Sequence, residues 1–88
     1  MAEIPQRVFV VQCASSVDPG GAAVVAVRGS LAAAQEFVAR REGVVLAPQE
    51  WEHHNSHGPL WQVVIRFRIN RGPQLTNTWS ITEHNFEP

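Results

Sequence analysis

Stretches of alternating β-branched residues, punctuated by Gly, Pro and Asn clusters, run through this chain and are interrupted once by a helical period. Arg7 to Ser16 carries Val8-Phe9-Val10-Val11, the composition of a strand. Asp18-Pro19-Gly20-Gly21 predicts a turn, because proline presets one φ and glycine accepts positive φ. Ala22 to Arg28 reads as the returning strand, so residues 7–28 predict a β-hairpin. The period then changes. Leu31, Ala34, Phe37, Val38 and Arg41 recur at helical spacing, with Gln35, Glu36 and Arg40 on the outer side. The Ser30 hydroxyl can cap the first turn, and Gly43 supplies a left-handed stop.

Three more strand-like runs follow: Val44 to Glu52, Leu60 to Ile69 and Leu75 to Phe86. Asn55-Ser56-His57-Gly58-Pro59 and Asn70-Arg71-Gly72-Pro73-Gln74 join them as turns. The predicted order is ββαβββ. Its economical packing is a two-layer α+β fold, an antiparallel sheet of about five strands with one helix on one face.

Placing large apolar residues opposite each other sets an expected register. It opposes Ile69 to Leu75, Ile65 to Trp79 and Val63 to Ile81 in the last hairpin, and Trp51 to Trp61 and Val45 to Phe67 in the one before. The expected core face is then Val45, Ala47, Trp51, Trp61, Val63, Ile65, Phe67, Ile69, Leu75, Trp79 and Ile81. The other face holds Gln62, Arg66, Arg68, Thr76, Thr78, Ser80 and Thr82, together with Val44, Leu46 and Val64. The first hairpin is also apolar on both sides. A single helix covers one face, so the second is expected to meet a protein partner or a dimer mate.

Composition narrows the class. Eighty-eight residues, 44% apolar and 17% charged, suit one globular domain spanning residues 1–88. A net charge of −1 offers no general attraction for nucleic acid or an anionic membrane. One cysteine, Cys13, excludes an intrachain disulfide framework and fits a reducing compartment. No apolar run reaches the roughly 20 residues needed to span a bilayer. Met1-Ala2-Glu3-Ile4-Pro5 lacks the features of a signal peptide, and a cytoplasmic setting is the expectation.

Candidate chemistry is sparse. His53, His54 and His57, with His84 across the sheet, are the residues from which a metal site could be built. Adjacent strand residues point to opposite faces, which separates His53 from His54 and favours a solvated hairpin tip. Cys13 reads as a structural thiol, since no histidine is near it in sequence. No serine sits in a nucleophile elbow, and Gly20-Gly21 is not followed by a phosphate-binding helix. Arg66, Arg68 and Arg71 could touch a phosphate backbone, but seven basic residues against eight acidic ones argue for a solvated face or a protein interface. The tryptophans read mainly as core, with Trp51, nearest the sheet edge, expected to be partly exposed.

Val8-Phe9-Val10-Val11, Val24-Val25-Ala26-Val27, the helix opening Ser30-Leu31-Ala32-Ala33-Ala34 with Phe37-Val38, and the strand Thr78-Trp79-Ser80-Ile81-Thr82-Glu83 together resemble a family of short phage and prophage accessory proteins. The resemblance covers about two thirds of the chain and consists of fold signals; the longer Trp51–Trp61 hairpin departs from it. It implies no catalytic residues and no cofactor. It does imply a setting in which small proteins, some of them inhibitors of host defence systems including CRISPR complexes, act by occupying a surface.

The expectation is therefore a non-enzymatic protein-binding protein that blocks a target sterically through Val44, Leu46, Val64, Arg66, Arg68 and Trp51. A nucleic-acid-binding or transcription-linked module on Arg66, Arg68 and Arg71 is the first alternative. A metal-binding protein on the histidine cluster is the second.

Overall fold

A computed structural model describes residues 7–16, 23–55, 58–68 and 70–85. The elements are β1 (Arg7–Ser15), β2 (Ala23–Arg28), α1 (Leu31–Glu42), a 3₁₀ turn (Pro48–Glu50), β3 (Glu52–His54), β4 (Leu60–Arg68) and β5 (Gln74–Asn85). The five strands form one antiparallel sheet in the order β2-β1-β5-β4-β3. The α+β architecture and the order ββαβββ are those the hydrophobic pattern predicts.

The helix begins and ends where its caps dictate. Ser30 is extended, and its Oγ accepts the Ala33 amide N–H at 3.1 Å. Gly43 sits at φ 69 in the left-handed region, where the Gly43 and Val44 amides donate back to the carbonyls of Arg40 and Ala39. Ala34 and Val38 are fully buried beneath the helix. The helix lies over β1, β2 and β5, and Phe9, Val11, Trp79 and Ile81 close the core below it.

The helix packs chiefly on β1, β2 and β5 rather than on β4. Its inward residues Trp61, Val63 and Ile65 instead share the core with Trp51 and Leu46, which come from the segment after α1. That segment is where the structure departs most from the sequence reading. Residues 44–47 are irregular and only Glu52–His54 is strand, not the whole of Val44 to Glu52. Pro48 offers no N–H to a ladder, and the Ala47 amide donates to Glu50 Oε2 at 2.6 Å, closing a local turn. With alternation lost, Val45 is 95% exposed rather than core, whereas Leu46 packs against the core. Trp51 is 7% exposed, so it lies on the core face as expected, but the partial exposure expected of it at the sheet edge is corrected to burial.

Both later registers differ from the expected pairings by two residues, which leaves the paired residues of β3, β4 and β5 on their expected faces, whereas Val45 and Leu46, outside the ladder, exchange theirs. Val63 opposes Trp79 and Trp61 opposes Ile81, because the tight turn is made by Asn70 and Arg71, at φ 51 and 62, and not by Gly72. On the other side Trp61 opposes His53 instead of Trp51. Ile69 and His57 lie outside the described residues. In the first hairpin the register shifts between Val11 and Gln12, leaving Val25 as the extra residue of a bulge.

Candidate functional site

Odd-numbered residues of β1, β4 and β5 face the core and even-numbered ones form the outer face. Down the middle of that outer face runs a polar ladder, Thr76, Thr78, Ser80 and Thr82 of β5. Apolar residues flank it on both sides. Val8 and Val10 of β1 with Val24 and Val27 of β2 lie to one side, and Leu60 and Val64 of β4 to the other.

The β4 side carries the predicted partner-binding residues. β3 pairs only with Leu60 to Gln62. From Val63 to Arg68, β4 therefore has β5 on one side and, among the described residues, no strand on the other. A groove of about 370 Å³ opens along this edge, lined by Leu46, Glu50, Glu52 and the β4 stretch 62–66. Leu46, Val63 and Ile65 on the core side and Val64 on the outer face make its apolar lining, while Glu50, Glu52 and Arg66 are exposed on its rim. The structure thus brings together Leu46, Val64 and Arg66. Arg68 is exposed one step further along the same face, opposite Gln74, and Val44 is 39% exposed at the helix exit. Trp51 supports the groove from the core without presenting a surface to it.

In the sequence Glu50 and Glu52 carry no signal beyond lying next to His53 and His54. Their position beside Arg66 follows from the turn at Pro48, which brings the segment back along β4.

The histidines are dispersed. His53 stacks on Trp61 on the core-facing side, rings 4.8 Å apart and 4° from parallel. His54, on the outer face, lies 3.2 Å from Glu52 through its Nε2. His84 Nε2 is 2.9 Å from Thr82 Oγ1. Among the described residues no three His, Cys, Asp or Glu side chains are placed to hold a metal ion. His54 and His84 do share a small pocket over Leu60, with Thr82 between them in the ladder.

Sequence reasoning missed one polar constellation. Glu42, the last residue of α1, turns back over the sheet, where its Oε2 accepts Trp79 Nε1–H at 3.0 Å and Asn77 Nδ2–H at 3.1 Å. Cys13 lies opposite Trp79 on β1. Burial raises the pKa of its thiol, the Glu42 carboxylate raises it further, and Arg41 opposes both. The thiol is thus held protonated, against a nucleophilic role. No helix among the described residues is long and apolar enough to cross a membrane. Compared with protein-family models, curated proteins and solved structures, the chain matches none.

Proposed function

We propose that this is a non-enzymatic protein-binding protein whose contact surface is the open edge of β4 together with the groove beside it. The observation that supports this most is the side of Val63 to Arg68 away from β5, which no strand among the described residues pairs, next to the apolar side chains of Leu46 and Val64. An extended partner segment laid along that edge gains main-chain hydrogen bonds, and the groove receives its alternate side chains. Rim charges of both signs, Glu50 and Glu52 against Arg66 and Arg68, select the register and composition of the segment. In the phage-accessory setting implied by the resemblance, the partner is a host defence complex and the action is steric occlusion.

Selection of peptides from a displayed random library against the protein tests this with a defined probe. Extended peptides with alternating apolar residues are expected, and Arg66→Glu with Arg68→Glu should weaken them at least tenfold while leaving the melting temperature unchanged. Peptides that bind the double variant equally well would refute the surface. Selective retention of single-stranded nucleic acid, with affinity falling steeply as salt rises, would favour the Arg66/Arg68/Arg71 alternative instead.

A further inference from the structure

The opposite edge of the sheet, β2, has a different character. Ala23 to Val27 contains no charge, and Val24, Val25 and Val27 are 58%, 43% and 50% exposed. Edge strands ordinarily carry a lysine, a proline or a cover that prevents pairing with another chain. This one ends in Arg28, whose guanidinium lies over the Phe37 ring, 4.8 Å from its centroid, and donates to the Val27 carbonyl at 2.9 Å, so pairing at that residue displaces one side-chain hydrogen bond. We propose that β2 pairs antiparallel with β2 of a second copy, joining two sheets into one of ten strands.

The bulge identifies the occupant. Because Val25 is extra, Val24 and Val27 both fall on the outer face, opposite Gln12 and Val10, although they are three residues apart. A regular partner meets both only through a register shift, as β1 does between Val11 and Gln12. A second β2 meets both without one. With a twofold axis between Val25 and Ala26, each Val24 opposes the other copy's Val27 on the same face, and each Ala23 opposes the other copy's Arg28 on the helix face.

Charge on α1 agrees with this axis. Glu36 and Arg40 form an exposed pair at 2.7 Å and share a shallow groove with Arg28 and Phe37, which places them on the β2 side of the helix. The midpoint between Val25 and Ala26 lies about 8.5 Å along the strand from Arg28, at about 3.4 Å per residue. The midpoint of Glu36 and Arg40 lies about 10.5 Å along the helix from Leu31, at about 1.5 Å per residue. Since α1 runs back over β2 after a two-residue turn, the two midpoints are nearly level. The twofold then sets each Glu36 against the other copy's Arg40. Helix axes over the two β1 strands stand three strand spacings apart, about 14 Å. Helices about 10–12 Å across leave a gap that long charged side chains span.

A six-residue strand about 20 Å long, two layers deep, presents roughly 400 Å² per copy in projection, about half the standard size and in the range of weak, transient contacts. An interface of this size suits a reversible dimer rather than an obligate one. It uses the edge remote from β4, so it stands independently of the partner surface proposed above.

Sedimentation velocity of the full chain from low micromolar to submillimolar concentration tests it. A monomer–dimer equilibrium is expected, with Kd raised at least tenfold by Val24→Lys with Val27→Lys. Glu36→Arg alone should raise Kd several-fold, and Glu36→Arg combined with Arg40→Glu should restore it, because the twofold keeps the exchanged charges complementary. Monomer at every concentration, growth beyond two copies, or a dimer indifferent to the lysine pair would overturn the proposal. If the lysine pair unfolds the chain, the helix charge exchange decides instead, and failure of the double exchange to restore Kd overturns it.

Discussion

Removing the Glu42 carboxylate should destabilise the fold more than any other change to an ionised side chain. Glu42 accepts two hydrogen bonds, from Trp79 Nε1 at 3.0 Å and Asn77 Nδ2 at 3.1 Å, and Trp79 itself is 3% exposed. A hydrogen bond to a charged group contributes about 1.5–3 kcal/mol, more where its loss leaves a buried donor unpaired. Asn77 is only partly buried and can recover water, so its share is the smaller one. We expect Glu42→Ala to cost about 2–4 kcal/mol, and Glu42→Gln, which keeps an acceptor but no charge, about 1 kcal/mol. Against the roughly 4–13 kcal/mol expected for a chain of this size, the alanine variant loses a large fraction of the total. Urea unfolding followed by tryptophan fluorescence and far-ultraviolet circular dichroism gives the values. A double-mutant cycle with Trp79→Phe isolates the indole contact, with an expected coupling of about 1–2 kcal/mol. A coupling near zero, or alanine and glutamine variants of equal stability, would show that Glu42 does not tie the helix end to the sheet.

Two further outcomes follow from the helix caps and the thiol. Gly43→Ala meets no atom within 4 Å, so its cost, about 1–2 kcal/mol, comes from the left-handed φ of 69 alone. Gly43→Asn should recover part of it, Ser30→Ala should lose about 1 kcal/mol, and a neutral Gly43→Ala in thermal melts would contradict the cap. The raised pKa of Cys13 means that the unfolded chain releases its thiol proton first as pH rises past about 8.5. That contribution to stability is therefore present at neutral pH and declines in alkali. Urea titrations at neutral and alkaline pH should show a fall in wild type that Cys13→Ala lacks; equal slopes would refute burial as the cause.

Local signals were sufficient wherever a segment's own residues decide its conformation. The Ser30 and Gly43 caps bound α1 because each satisfies helix-end groups within a few residues of itself. Period-two alternation assigned the faces of β4 and β5, and a two-residue error in register left those faces intact because strand geometry repeats every two residues. Where alternation alone was read, as in Val44 to Glu52, it failed. The Pro48 turn and the Glu50 side chain act on three residues, and they override the β propensity of Val44 and Val45.

From the sequence alone came the composition of the sheet, the caps and sidedness of the helix, and the surplus of valine on a face that one helix cannot cover. Tertiary structure decided which strands are neighbours. The pairing of β1 with β5 joins the two ends of the described chain, and no local pattern encodes it. It also decided that β3 stops after three residues, which opens the β4 edge, and that β2 bulges at Val25, which sets Val24 and Val27 on one face. Glu42 meets Trp79 because the helix crosses the sheet at that point. Edges, bulges and such crossings depend on contacts between residues far apart in sequence, whereas periodicity records only what each segment prefers by itself.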